Sequence, residues 1–164
     1  MPQLAPLTPT EEALWRALMR LMFTLHRSLD DDLVRACGMT ANEYTVLMNL
    51  SEAPSRELRI SDLADAAALS VSRMSRLIDE LQSRDLVAKR RSEIDRRGNV
   101  ARLTRQGLAR LKAAYPAHLA SARSLVMDHL DADDVACVAR ALDVISDQLD
   151  EGKPGGRARR HPAG

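Results

Sequence analysis

The sequence predicts a mainly α-helical chain with one small β-hairpin, and three observations carry that expectation. Long stretches place apolar residues at three- and four-residue spacing behind helix-capping residues. A short capped helix is followed almost at once by a second one. Residues 86–103 alternate in the manner of two paired strands around a charged turn.

Thr8-Pro9-Thr10-Glu11 reads as a helix start, with Thr8 as cap, Pro9 at the first helical position and Glu11 closing a capping box. Leu14, Leu18, Leu21, Met22, Leu25 and Leu29 then recur with helical periodicity, to about Ala36, and Gly38 is the stop. Roughly 30 residues at 1.5 Å each give a rod of about 40 Å. That is longer than a small globule needs and suggests docking on another long helix. Thr40-Ala41-Asn42-Glu43 is a second capping box, followed by Tyr44, Leu47, Met48 and Leu50 and ended by Pro54.

Ser61 is expected to cap a short alanine-rich helix from Asp62 to about Ala68. Leu69-Ser70 makes a tight connection, and Ser70 caps a helix from Val71 to about Arg84. Its apolar face carries Val71, Met74, Leu77, Ile78 and Leu81. Ser72, Arg76, Asp79 and Ser83 fall opposite, with Arg73 on the flank. Two such helices joined by a short turn form a helix-turn-helix. Ser70, Ser72, Arg73 and Arg76 then face outward near a helix N-terminus, where hydroxyls and guanidinium groups suit phosphate oxygens and the O6/N7 edge of guanine. An ordinary solvated helix face is the plain alternative.

Leu86-Val87-Ala88-Lys89-Arg90 and Asn99-Val100-Ala101-Arg102-Leu103 read as strands about a charged turn. A hairpin directly after an outward-facing helix is a wing. Its Asp95, Arg96 and Arg97 are the second set of candidate DNA contacts: Arg97 for a minor groove, Asp95 to orient it, and Arg96 for phosphate. Thr104 caps a helix expected from Arg105 to about His129, bearing Leu108, Leu111, Leu119 and Val126, with a kink at Pro116. After a break at Leu130–Asp134, Val135, Val138, Leu142, Ile145 and Leu149 recur at alternating spacings of three and four, a heptad seam. The tail from Gly152 is Gly/Pro-rich and basic, and is expected to be disordered, with a weak attraction to DNA.

The net charge of +1 hides a gradient. Residues 56–112 carry 14 basic and 8 acidic groups, whereas residues 1–55 carry 4 and 7 and residues 113–164 carry 6 and 8. The middle third is therefore the candidate for an anionic partner. The four aromatics, Trp15, Phe23, Tyr44 and Tyr115, all lie outside it, which argues against base stacking on single strands and for duplex DNA. No Gly-rich phosphate loop or metal-ligand spacing is visible, so neither an enzyme nor a cofactor or metal is expected. Cys37 and Cys137 form no disulfide framework or zinc motif. No stretch is apolar enough to span a bilayer. The opening MPQLAPLTPTEEALW lacks a basic signal region, so a cytoplasmic chain is expected.

Asp95-Arg96-Arg97-Gly98, followed by the alternating Val100-Ala101-Arg102 and then Leu103-Thr104-Arg105-Gln106-Gly107, resembles the wing of the MarR family of bacterial transcription regulators. Ser72-Arg73 and Leu77-Ile78-Asp79-Glu80-Leu81 are similar to the family's recognition helix. The resemblance covers roughly residues 10–150. One departure is Ser92-Glu93-Ile94, where the family often has a proline. The resemblance implies a winged helix-turn-helix domain at 40–104, dimerisation helices at 8–38 and 105–150, and a tail at 151–164.

It also implies a homodimer, joined partly through Val135, Val138, Leu142, Ile145 and Leu149, on a pseudo-palindromic operator. A repressor released by a small aromatic or phenolic effector is the expected function. Trp15, Met19, Met22, His26, Tyr44, Tyr115 and His118 are candidates to line the effector cleft, and Arg16, Arg20 and Arg123 to pair with an effector's carboxylate. Ordinary core packing is the plain alternative for each of the lining residues, and pairing with nearby Asp and Glu is the equal alternative for the three arginines. Two other functions are weighed: a helical protein-interaction adaptor with non-specific nucleic-acid binding, and a thiol-based redox-sensing regulator. The second is weakened because Cys37 lies just past the periodic stretch of the first helix.

Overall fold

The computed structural model describes residues 5–91 and 99–151. The predicted wing turn, with Asp95, Arg96 and Arg97, and the basic tail from Gly152 lie outside the described residues. Within them, six helices and three strands follow in the order α1 (Pro9–Cys37), α2 (Ala41–Glu52), β1 (Glu57–Arg59), α3 (Ile60–Ala66), α4 (Val71–Ser83), β2 (Val87–Arg91), β3 (Asn99–Leu103), α5 (Arg105–Leu125) and α6 (Ala132–Glu151). Short 3₁₀ turns stand at Pro54–Arg56 and Met127–His129. The chain forms two compact units, Met1–Ala122 and Arg123–Gly164.

Capping chemistry sets the helix ends. The Thr8 and Thr40 hydroxyls accept the N–H groups of Glu11 and Glu43, whose carboxylates accept the Thr8 and Thr40 N–H groups in return. Gly38 closes α1 in the left-handed conformation at φ 62°, a position that favours glycine. An Asp131 carboxylate oxygen accepts the Asp134 N–H at 2.8 Å and starts α6.

The first unit is a winged helix-turn-helix around one core. Leu33, Met39, Leu47, Leu50, Leu63, Met74, Ile78 and Leu81 are almost fully buried. The sheet has the order β1-β3-β2, antiparallel throughout, with Leu58 opposite Ala101 and Lys89 opposite Ala101 on the other side. The expected hairpin is present as β2 and β3, and β1 adds a third strand against β3. β1 spans only Glu57-Leu58-Arg59, too short for alternation to declare it.

Three further expectations change. The short helix begins at Ile60, not Asp62, because Ile60 is drawn into the core at 4% exposure. Arg59 then occupies the cap position without a capping side chain, and the Ser61 hydroxyl donates to Asp62 instead. Val71, assigned to the apolar face of the second helix, is exposed. The helix expected to reach His129 ends at Leu125, with Pro116 inside it, and a 3₁₀ turn follows.

Two apolar surfaces stay uncovered within a single chain. In α1 only Leu33 is buried, whereas Leu14, Trp15, Leu21, Met22 and Phe23 are exposed, Phe23 at 72%. In α6 no residue of described burial is buried, and Val138, Leu142, Ile145 and Leu149 all stand exposed.

Candidate nucleic-acid interface

The face of the first unit most suited to an anionic partner is the outer side of α4. Met74, Ile78 and Leu81 anchor its inner side at 0% exposure. The Ser70 hydroxyl caps the helix by accepting the Arg73 N–H at 3.3 Å and lies 3.2 Å from the Ser72 hydroxyl. Ser70, Ser72, Arg73 and Arg76 are all exposed, and the first turn contains no acid. Among the described residues Arg73 and Arg76 have no ion-pair partner. Beside them opens a groove of about 430 Å³, lined by both arginines and by Asp30, Asn42 and Glu80 among others. The helix N-terminus adds the partial positive charge of its unpaired N–H groups to the same surface.

The other end of α4 is closed by polar contacts. Past Ser83 the chain turns back through Asp85, at φ 57°, and the Leu86 N–H returns to the Leu81 carbonyl at 2.9 Å. The Thr104 hydroxyl donates to the Asp85 carbonyl at 2.7 Å, with the Leu86 carbonyl 3.1 Å away, and accepts the Gly107 N–H at 2.9 Å. The Gln106 side-chain amide donates to the Arg84 carbonyl at 3.3 Å. A Cβ on Gly107 would stand 2.0 Å from the Leu86 carbonyl oxygen, which only glycine avoids. The Leu-Thr-x-x-Gly sequence at 103–107 is thus a clamp that fixes the end of α4 to the start of α5.

Three basic residues near this end are held in ion pairs. Arg84 pairs with the buried Glu43 of α2, Lys89 with Asp79 at 2.7 Å, and Arg90 with Glu57 at 2.6 Å. Asp79, read in the sequence as part of the outward face, therefore belongs to the joint between α4 and β2. Sequence reasoning missed Glu43, since a capping-box glutamate gave no sign of a partner 41 residues away. The predicted Asp95, Arg96 and Arg97 lie outside the described residues.

The candidate effector residues divide. Tyr44 and His118 meet as stacked rings, with centroids 4.2 Å apart and planes at 21°. Nδ1 of His118 is buried and has no hydrogen-bond partner among the described residues. Burial pushes the His118 imidazolium pKa down from its ordinary value. Tyr44 is pushed up by burial first and by the charges of Tyr115 and Glu52 second. Trp15, Met22, His26 and Tyr115 are exposed, and Met19 is half-buried. Arg16 is paired with Glu12 at 2.6 Å. The Cys37 thiol lies 3.2 Å from the Leu33 carbonyl, and Cys137 is exposed. Among the described residues no His, Cys, Asp or Glu cluster could hold a metal, and no helix is long and apolar enough to cross a membrane.

No curated protein matches the chain. Two solved structures from Streptomyces coelicolor resemble it along nearly its whole length. AbsC, a MarR family transcriptional regulator, is 36% identical over 92% of this chain and 100% of its own, with a TM-score of 0.79. Sco3205, a MarR family transcriptional regulator in complex with DNA, is 28% identical over 95% of this chain and 98% of its own, with a TM-score of 0.83. A mutant MarR from E. coli, complexed with operator DNA, shares the fold at 22% identity, covering 86% of this chain and 99% of its own, with a TM-score of 0.69. The MarR family profile matches residues 38–98, from the end of α1 through the helix-turn-helix to the segment between β2 and β3. By profile, identity and fold, the chain belongs to the MarR family.

Proposed function

We propose that the chain is a dimeric, sequence-specific double-stranded-DNA-binding transcription regulator that represses its target and is released by a small effector. The observation that carries this reading is the outer face of α4, with two exposed arginines, unpaired among the described residues, beside two hydroxyls at a helix N-terminus. That set suits a major groove, where arginine pairs with guanine O6/N7 and short hydroxyls reach either base edges or phosphate. The DNA complex of Sco3205, 28% identical, supports the same reading. From the sequence, Arg97 oriented by Asp95 adds a minor-groove contact and Arg96 a phosphate contact.

The dimer accounts for the uncovered apolar surfaces. Burying Val135, Val138, Leu142, Ile145 and Leu149 at about 1.5–3 kcal/mol each supplies on the order of 10 kcal/mol before association costs. The exposed stripe of α1 adds to that. The effector reading rests on Tyr44 and His118, the two nominated residues that meet. An aromatic acid placed against this pair finds a ring to stack on and a buried nitrogen in need of a partner. A regulator of this kind turns over no substrate.

The test is selection of bound sequences from a random duplex pool, followed by titration of single-base variants. Arg73→Ala and Arg76→Ala should each weaken binding by about 1–3 kcal/mol and relax selectivity at one position per half-site. Their melting temperatures should stay at the wild-type value. If both variants keep full affinity and selectivity, α4 does not read the bases. If the wild-type chain enriches no sequence, the regulator reading fails.

A further inference from the structure

We propose that the Glu43–Arg84 ion pair is a positioning device. It fixes the direction of α4 and, through it, the spacing between the two reading helices of a dimer. The inference rests on the dimeric DNA-binding reading above.

Glu43 is 6% exposed, and its two carboxylate oxygens do different things. Oε2 accepts the Thr40 N–H at 2.8 Å and closes the cap of α2. Oε1 receives the guanidinium of Arg84, which stands at the C-terminal cap of α4. A carboxylate this far from water needs such compensation, and a guanidinium supplies it with a defined geometry.

The same short stretch around the α1–α2 junction collects contacts from the other long elements of the first unit. Asp30 of α1 accepts the Ala41 N–H at 2.7 Å. The Arg110 guanidinium of α5 donates to the Cys37 carbonyl. Gln106 at the start of α5 donates to the Arg84 carbonyl. Residues 37–43 are therefore a polar hub on which α1 and α5, the proposed dimerisation elements, meet the fixed end of α4.

Leverage gives the hub its effect on reading. The 13 residues of α4 make a rod of about 20 Å, so a tilt of about 5° at Arg84 moves Ser70 by about 2 Å. Base-edge hydrogen bonds tolerate only a few tenths of an ångström. A pair at the far end of α4 from the proposed reading turns thus decides whether both reading helices of a dimer fit one pair of grooves.

The variant of choice is Glu43→Gln, because glutamine still serves at the third position of a capping box. Binding is measured on three probes: the duplex selected by the wild-type chain, that duplex with its half-sites one base pair further apart, and a single half-site. The variant is expected to bind the single half-site within about twofold of wild type. Its preference for the natural spacing over the lengthened one should fall by at least about fivefold. Arg84→Lys, which keeps a cation opposite Glu43, should retain most of that preference. The double variant Glu43→Gln/Arg84→Met buries no charge and should behave as Glu43→Gln does, which keeps the test intact if one single variant does not fold. Unchanged spacing preference in a folded variant, or equal loss on the half-site and the full duplex, overturns the positioning role alone. Failure of the wild-type chain to select any duplex with two half-sites overturns the dimeric reading and this inference with it.

Discussion

In the first two turns of α4, Ser72, Arg73 and Arg76 stand exposed, and neither arginine has an ion-pair partner among the described residues. At its last turn, Arg84 pairs with Glu43, its carbonyl accepts from Gln106, and the backbone beyond it is held by Thr104 and packed against Gly107. Both ends come from one 13-residue helix in the most basic third of the sequence. The difference shows that local basicity alone does not leave cations free, since the fold consumes Arg84, Lys89 and Arg90 in its own construction.

The contrast can be broken most severely at Gly107. Gly107→Ala drives a methyl group against the Leu86 carbonyl and the Leu103 side chain, and should cost about 3 kcal/mol or more in urea unfolding. Wild-type stability in this variant would mean that the clamp is loose. Thr104→Val keeps the shape of the side chain but uncaps Gly107 and deprives the Asp85 carbonyl of its donor. A loss of about 1–2 kcal/mol is expected, with no change in the salt dependence of DNA binding. The arginine variants of the open end predict the reverse pattern, lost affinity with unchanged melting.

The smallest effect has the opposite sign. Ala68, in the turn before α4, and Asp85, in the turn after it, both adopt left-handed backbone, at φ 51° and 57°. Ala68→Gly should stabilise the chain by about 1 kcal/mol, and Asp85→Gly by less, since aspartate tolerates this conformation better than alanine. A thermal melt in which Ala68→Gly unfolds earlier than wild type would show that the alanine methyl has a packing role.

Much of this was legible in the sequence because capping is local. Thr8/Glu11, Thr40/Glu43, Ser70, Thr104 and Gly38 mark helix boundaries within three or four residues of the groups they satisfy. The outward set on α4 followed from helical geometry alone. What stayed hidden was non-local. β1 is three residues long and is defined only by its pairing with β3. Ile60 displaces Ser61 from the cap because of a core that the local sequence does not reveal. The partners of Glu43, Asp79 and Glu57 lie 41, 10 and 33 residues away. Among the nominated effector residues, helical periodicity could not tell that Tyr44 and His118 would be the pair that stacks.

The register that sets Leu58 against Ala101 has a consequence for how the chain is made. It closes a loop of roughly forty residues, a contact whose entropic cost falls before any of its gain. A growing chain displays α2, α3 and α4 well before β3, Thr104 or Gln106 exists. Until they emerge, α4 is a 13-residue helix with an untied end, a length that is marginal in water. The capacity to recognise DNA is thus acquired late in synthesis. A fragment ending at residue 98, where the family profile ends, would contain every proposed base-contacting residue and lack the strand and the clamp that aim them.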